Sequence, residues 1–307
     1  MAEIPQPPAQ SKAIVFARRS ASTLFLWALV TSIFMSRYTW AFLALISVLA
    51  IVATVEYFQM LRAAEVKCFS RFGILLSVIY SGTLYFCFMR GDHEVSFAVD
   101  ALALFIAIAG AFTLQLRHPI HSLESLTGVA TTLLGFVYLP FLFNFTARIT
   151  FMVPDSAGVA GVVGEHGAFL LLWLLAVTKF TDMGAYIVGS MIGRHKMIPH
   201  VSPGKTWEGF GGALIFSQIA ACGLYALFPT QLFFFQKWSH VAFLGVLLAV
   251  LAVIGDLAES VVKRALNAKD SGKMLPGIGG SLDLIDSICF TAPALYFYLK
   301  WVLLTNA

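Results

Sequence analysis

Apolar stretches of roughly 20 residues recur from one end of this chain to the other, separated by short polar connections, and a stretch of that length crosses a bilayer as a helix. The pattern predicts nine spans, near residues 20–36, 39–61, 72–89, 96–116, 126–149, 167–191, 209–228, 241–265 and 284–304. The first is short and closely followed by the second, so that pair reads as a tight hairpin or one broken unit. The expected fold class is therefore all-α: a polytopic integral membrane protein with about nine transmembrane helices.

Composition excludes the alternative of a soluble domain. Of 307 residues, 59% are hydrophobic and only 12% charged, with mean hydropathy +0.84; a soluble chain of this size carries about 25% charge. The aromatic residues, 14% of the chain, read as lipid-facing and interfacial belts rather than a nucleic-acid stacking platform. Four scattered cysteines, Cys68, Cys87, Cys222 and Cys289, form no CxxC pair and read as small apolar helix residues. No small-residue cleavage site follows the first apolar run, so an uncleaved first helix is expected.

The net charge of +4 matters through its placement. Lys and Arg collect in cytoplasmic loops. Here they fall in the N-terminal tail (Lys12, Arg18, Arg19) and the even connections: Arg62, Lys67 and Arg71; Arg117; Arg194, Lys196 and Lys205; Lys263, Arg264, Lys269 and Lys273. The odd connections hold Arg37, Arg90, Arg148 and Lys237. A cytoplasmic N-terminus follows, with the sixth and eighth connections on the same side. The chain divides into a tail over 1–19 and one membrane domain over 20–307. Within that domain, 20–165 reads as plain membrane helices and 166–307 as a catalytic half with motif loops 192–208 and 266–283.

Ionisable residues near a bilayer core are expensive and mark function by default. Asp256, Glu259 and Lys263, spaced three and four apart, share one helix face. Asp283 and Asp286 stand three apart at the start of the last helix. Packed antiparallel, the two helices bring these faces together beneath the loop KDSGKMLPGIGGS, whose Lys269 and Lys273 supply cations and whose Gly277, Gly279 and Gly280 allow close backbone approach. Hard oxygen donors of this kind suit magnesium with a phosphate ligand. A second cluster, residues 181–209, sets Arg194, Lys196 and Lys205 before a helix expected to begin near Thr206, an arrangement that attracts phosphate. Ser202 to Thr206 looks like the end of a P-loop, but Pro199 replaces the required glycine and no preceding strand is expected, so a Walker-type site is rejected. Asp182, with Lys179 one turn earlier, belongs to this cluster; His118 and His121 read as solvated.

At these residues the chain resembles the phosphatidate cytidylyltransferase (CDP-diacylglycerol synthase) family. The likeness runs through Ser260, Lys263, Arg264, Lys269, Asp270, Gly272, Pro276, Gly277, Gly279, Gly280, Asp283 and Asp286, and through Asp182, Gly184, Ala185, Tyr186, Gly189, Gly193, His195, Lys196, Ser202 to Thr206, Glu208 and Gly209. It covers residues 178–295 and departs at Ile278 and Leu284, where the family usually carries His and Arg. The resemblance implies transfer of a cytidylyl group from CTP to phosphatidic acid at the cytoplasmic face of the cell membrane. It further implies Asp256 and Asp283 as metal carboxylates with Asp286 beside them, and Lys263 and Lys269 as catalytic cations. Asp182, Ser202, Lys205, Thr206, Arg264, Asp270, Lys273, Gly279 and Gly280 would contact substrate. One or two Mg²⁺ ions and a homodimer fit the same implication. A CTP-dependent kinase or transferase acting on another lipid, and a non-enzymatic transporter or scaffold derived from the fold, remain open alternatives.

Overall fold

The computed structural model describes residues 28–120, 122–152, 162–268, 271–272 and 279–303. Residues 28–36 are helical; the rest of the first expected span and the whole 1–19 tail lie outside the described residues. Then follow α1 (Thr39–Ala63), α2 (Ser70–Arg90), α3 (His93–Gln115), α4 (Ser122–Phe136), a π-helical turn (Val137–Phe141), α5 (Phe145–Thr150) and α6 (Glu165–Ile192). A hairpin of β1 (Lys196–Ile198) and β2 (Ser202–Thr206) leads into α7 (Trp207–Leu227), α8 (Trp238–Ala265), α9 (Ser281–Ile285) and α10 (Ile288–Tyr298), which ends in a second π turn, Leu299–Leu303. Among the described residues, eight helical segments are long and apolar enough to cross a membrane. They correspond to the second through ninth expected spans, and the protein is a multi-pass membrane protein.

Each helix sorts its residues by face. On α1 the buried positions Phe42, Leu43, Ile46, Ala50, Ala53, Tyr57, Phe58 and Leu61 recur at helical spacing, while Trp40 and Val48 stay exposed. Trp173, Phe136, Phe235 and Tyr57 are fully buried, so the aromatic residues build the protein core as well as the lipid-facing belts expected of them. The third-to-last span folds tightly on its neighbour: a Cβ on Gly212 of α7 would sit 2.6 Å from the Gly184 carbonyl oxygen of α6, so the two backbones touch there. The fifth span is broken at Pro140, whose missing N–H opens the π turn; Asn144 Nδ2 donates to the Pro140 carbonyl at 2.6 Å.

Three expectations change. Cys68 lies in the connection between α1 and α2 rather than on a helix, and all four cysteines are free. The sixth connection contains strands: Lys196 pairs with Thr206 and Ile198 with Ser202 in antiparallel register. Among the described residues these two short segments form a two-stranded sheet between α6 and α7. Finally, Arg148 is no connection residue. It sits on α5, 4% exposed, with Nη2 2.6 Å from Asp100 Oδ2 of α3 and Nη1 2.6 Å from Ser96 Oγ. Tyr80 Oη donates to Asp100 Oδ1 at 2.8 Å, and the guanidinium lies 4.6 Å from the Phe97 ring centre. Removing one member of such a pair strands the other, so Arg148→Met will cost about 3–5 kcal/mol of stability. Arg148→Met with Asp100→Leu should recover most of that loss, both read as melting shifts in detergent.

Candidate active site

The site starts from spacing. Asp256, Glu259 and Lys263 project from one face of α8, and the Lys263 Nζ reaches back one turn to Glu259 Oε2 at 2.8 Å. The same ammonium meets Asp283 Oδ1 of α9 at 2.9 Å, so one lysine ties the two helices together. Asp283 Oδ2 accepts hydrogen bonds from Ser271 Oγ at 2.8 Å and from the Gly280 N–H at 2.7 Å. Both oxygens of Asp283 are thus committed to holding the head of α9.

Asp286 is placed differently. Gly255 lets the turn between α9 and α10 press onto α8: a Cβ there would lie 2.8 Å from both the Asp286 carbonyl oxygen and Ser287 Cα. Ser287 Oγ donates to the Ala252 carbonyl at 3.2 Å. This contact sets Asp286 against Asp256 and Glu259, with one carboxylate oxygen from each within 4.8 Å of the others. Glu259 Oε1 is buried and has no partner among the described residues. Three carboxylates that each bring an oxygen within 4.8 Å of the others fit a hard divalent cation. Asp283, by contrast, is engaged with Lys263, Ser271 and Gly280.

The hairpin supplies the opposing wall. Thr206 caps α7, its Oγ1 accepting the Gly209 N–H at 3.1 Å. Lys205, one residue earlier, forms an ion pair with Asp256. Glu208 clamps the start of the hairpin by accepting the Arg194 and His195 N–H groups, at 3.1 and 3.2 Å, and by pairing with His195 Nδ1 at 2.5 Å. Asp182 of α6 pairs with Lys179 at 3.5 Å. The two motif clusters, separate in sequence, line one cavity of about 680 Å³. Asp182, Lys196, Ser202, Lys205 and Thr206 face Asp256, Glu259, Lys263, Asp283 and Asp286 across it, with Tyr186, Phe210 and Val253 adding apolar surface. Counting Lys179 on Asp182, five carboxylates outnumber four ammonium groups when all are ionised. Such a wall repels a bare polyphosphate, and a divalent cation reverses that sign.

Other expected residues fall elsewhere. Arg264 is exposed and its Nε donates to the Val201 carbonyl at 3.4 Å, bracing the hairpin turn rather than lining the cavity. Gly279, at φ 112, and Gly280 form the entry to α9. Lys269, Asp270, Lys273 and Ile278 lie outside the described residues, as does His121; His118 is exposed. Leu284 packs against the apolar core.

The first half of the chain contributes two residues that the sequence reading passed over. Glu56 of α1, 1% exposed, accepts the Leu282 N–H of α9 at 3.0 Å. Tyr138 sits on the π turn with a buried hydroxyl that has no partner among the described residues. Its ring packs edge-on against Phe290 of α10, with centroids 5.9 Å apart. A lone acid in the run ISVLAIVATVEYF was the available signal for Glu56.

A model of the cytidylyltransferase family matches residues 17–302. The chain is 31% identical over 251 residues to an uncharacterized protein of Escherichia coli K12, YnbB, covering 81% of this chain and 79% of that protein. It is 28% identical to the phosphatidate cytidylyltransferase of Bacillus subtilis, covering 80% and 85%. To the enzyme of that name from Mycobacterium bovis it is 35% identical over 181 residues, covering 59% and 52%; the chain thus spans about half the length of that relative.

Proposed function

Since the chain belongs to the cytidylyltransferase family, we propose that it transfers the cytidylyl group of CTP to phosphatidic acid, forming CDP-diacylglycerol and pyrophosphate. The observation that carries this reading is the single cavity where a basic hairpin faces converging carboxylates. In the reaction, a phosphate oxygen of phosphatidic acid attacks the α-phosphorus of CTP, and the bond from that phosphorus to the bridging oxygen breaks. Several negative charges meet, so positioning and charge neutralisation supply the acceleration. Lys205, Lys196 and the capped N-terminus of α7 hold phosphate oxygens, with Ser202 and Thr206 at the same wall. Lys263 fixes Glu259 and Asp283 in register. Mg²⁺ bound by Asp256, Glu259 and Asp286 would neutralise phosphate charge and stabilise the departing pyrophosphate.

Residues 166–307 act as the catalytic half in this reading, and the cavity opens to the cytoplasmic face of the cell membrane, where CTP is present. Tyr186, Phe210 and Val253 offer the lipid an apolar flank. Lys269, Asp270 and Lys273 are assigned to the phosphates on the motif resemblance, and a homodimer is expected on the same ground.

Label position tests the chemistry. Purified protein in detergent, given phosphatidic acid, Mg²⁺ and CTP labelled at the α-phosphate, should move label into lipid; γ-labelled CTP should not, and a chelator should stop transfer. Asp283→Asn, which weakens the acceptor for Lys263 and Gly280, should lower the rate about 10-fold. Lipid labelled from the γ-phosphate would mean a CTP-dependent kinase instead. No lipid label from either would reject both.

A further inference from the structure

α9 has five residues, too few to hold its own position. The first N–H groups of any helix have no partner within it. In this helix those groups are met from two directions. Asp283 takes the Gly280 N–H at 2.7 Å. Glu56, 226 residues away on α1, takes the Leu282 N–H at 3.0 Å. Ser281 Oγ adds a second tie, donating to the Leu49 carbonyl of α1 at 3.3 Å. The fit around the Glu56 carboxylate is close, since a Cβ on Gly280 would stand 2.6 Å from Glu56 Oε2.

Glu56 is 1% exposed, and its Oε1 has no partner among the described residues. An acid held inside a membrane protein with one oxygen unsatisfied is costly. Were its role only to fill space, an apolar side chain would serve the core better. What it gains is the placement of α9: by meeting the Leu282 N–H from outside, it frees Asp283 to divide its oxygens between Lys263, Ser271 and Gly280. The helix so anchored ends at Asp286, whose carboxylate must meet Asp256 and Glu259.

Resting on the metal reading above, we propose that Glu56 is a positioning residue: it anchors the head of α9 so that Asp286 reaches the Asp256–Glu259 pair of α8. Glutamine keeps the acceptor oxygen and the length, alanine removes both, and aspartate is one methylene short. Partners that orient metal ligands govern affinity by about 10- to 100-fold.

Mn²⁺ binding to the purified full chain, followed by electron paramagnetic resonance, reads this without turnover. Glu56→Ala and Glu56→Asp should weaken Mn²⁺ binding about 10-fold or more, and Glu56→Gln should stay within about threefold of wild type. Hydrogen exchange of the 279–287 segment should quicken in Glu56→Ala and not in Glu56→Gln. In turnover, Glu56→Ala should lower kcat and raise the half-saturating Mg²⁺ concentration while the KM for CTP moves little. Glu56→Ala that binds Mn²⁺ like wild type overturns the proposal and leaves the proposed reaction standing. So does faster exchange with unchanged Mn²⁺ binding, which would make Glu56 a purely structural anchor. Wild-type protein that binds no Mn²⁺ defeats the metal reading and this inference with it.

Discussion

Asparagine in place of Asp286 will lower cytidylyl transfer by about 10³-fold in a chain that still folds. The exchange is nearly isosteric, and an amide oxygen can still accept the Ser287 N–H that Asp286 Oδ1 takes at 2.5 Å. What disappears is one of three charges whose oxygens converge within 4.8 Å. Carboxylates crowded this closely repel one another when ionised, so removing one should not weaken the fold, and the melting temperature should hold or rise. Initial rates at saturating CTP and Mg²⁺, taken with melting curves in the same detergent, separate the effects. A rate within threefold of wild type would remove Asp286 from the catalytic set. A large loss with a lowered melting temperature would make its role structural.

The second large effect is expected at Lys263. Its ammonium, on a side chain only 16% exposed, is the shared counter-charge of Glu259 and Asp283. Methionine matches the stem but leaves two carboxylates facing each other without compensation. Breaking a buried pair in this way costs about 3–5 kcal/mol. Transfer should fall by about 10²-fold or more, because both acids must shift to relieve the repulsion. Adding Glu259→Gln should restore much of the stability and none of the activity, since it cures the repulsion by removing one of the carboxylates proposed to hold the metal. Arginine is a poor rescue: its planar fork cannot occupy a point contact between two oxygens each under 3 Å away. Lys263→Met with normal melting and normal transfer would show that the bridge is dispensable.

The second through ninth spans and the shared face of Asp256, Glu259 and Lys263 were readable because both rest on local rules. Apolar runs of bilayer length identify spans directly, and the i, i+3, i+7 spacing of Asp256, Glu259 and Lys263 fixes a common face on any helix. The division of labour between Asp283 and Asp286 was not readable. Their spacing predicts one face, and nothing in it says that Gly255 lets the Asp286 turn press onto α8 while Asp283 is drawn to Lys263 and Gly280. Arg148 misled for a related reason: charge placement assigned it to a connection, and only the fold reveals Asp100 as its partner. The strands of the sixth connection escaped because Lys196–Ile198 and Ser202–Thr206 are too short to show alternation. Glu56 and Tyr138 were hidden by distance along the chain. The half holding them is otherwise a series of plain apolar helices, and the solitary acid in the run ISVLAIVATVEYF is the one local signal at Glu56.

The contact between Glu56 and the Leu282 N–H has a consequence for biosynthesis. It joins the first full span in the structure to the last, across 226 residues. A ribosome adds those residues at about 5–20 per second, so Glu56 enters the membrane well before its partner is made. During that interval the nascent bundle holds an acid with no helix end to bind, and Asp286, the carboxylate proposed to complete the metal site, does not yet exist. On the proposed site, catalytic competence arrives in one step, when the final segment inserts, and a chain stalled before it leaves no half-active enzyme in the membrane.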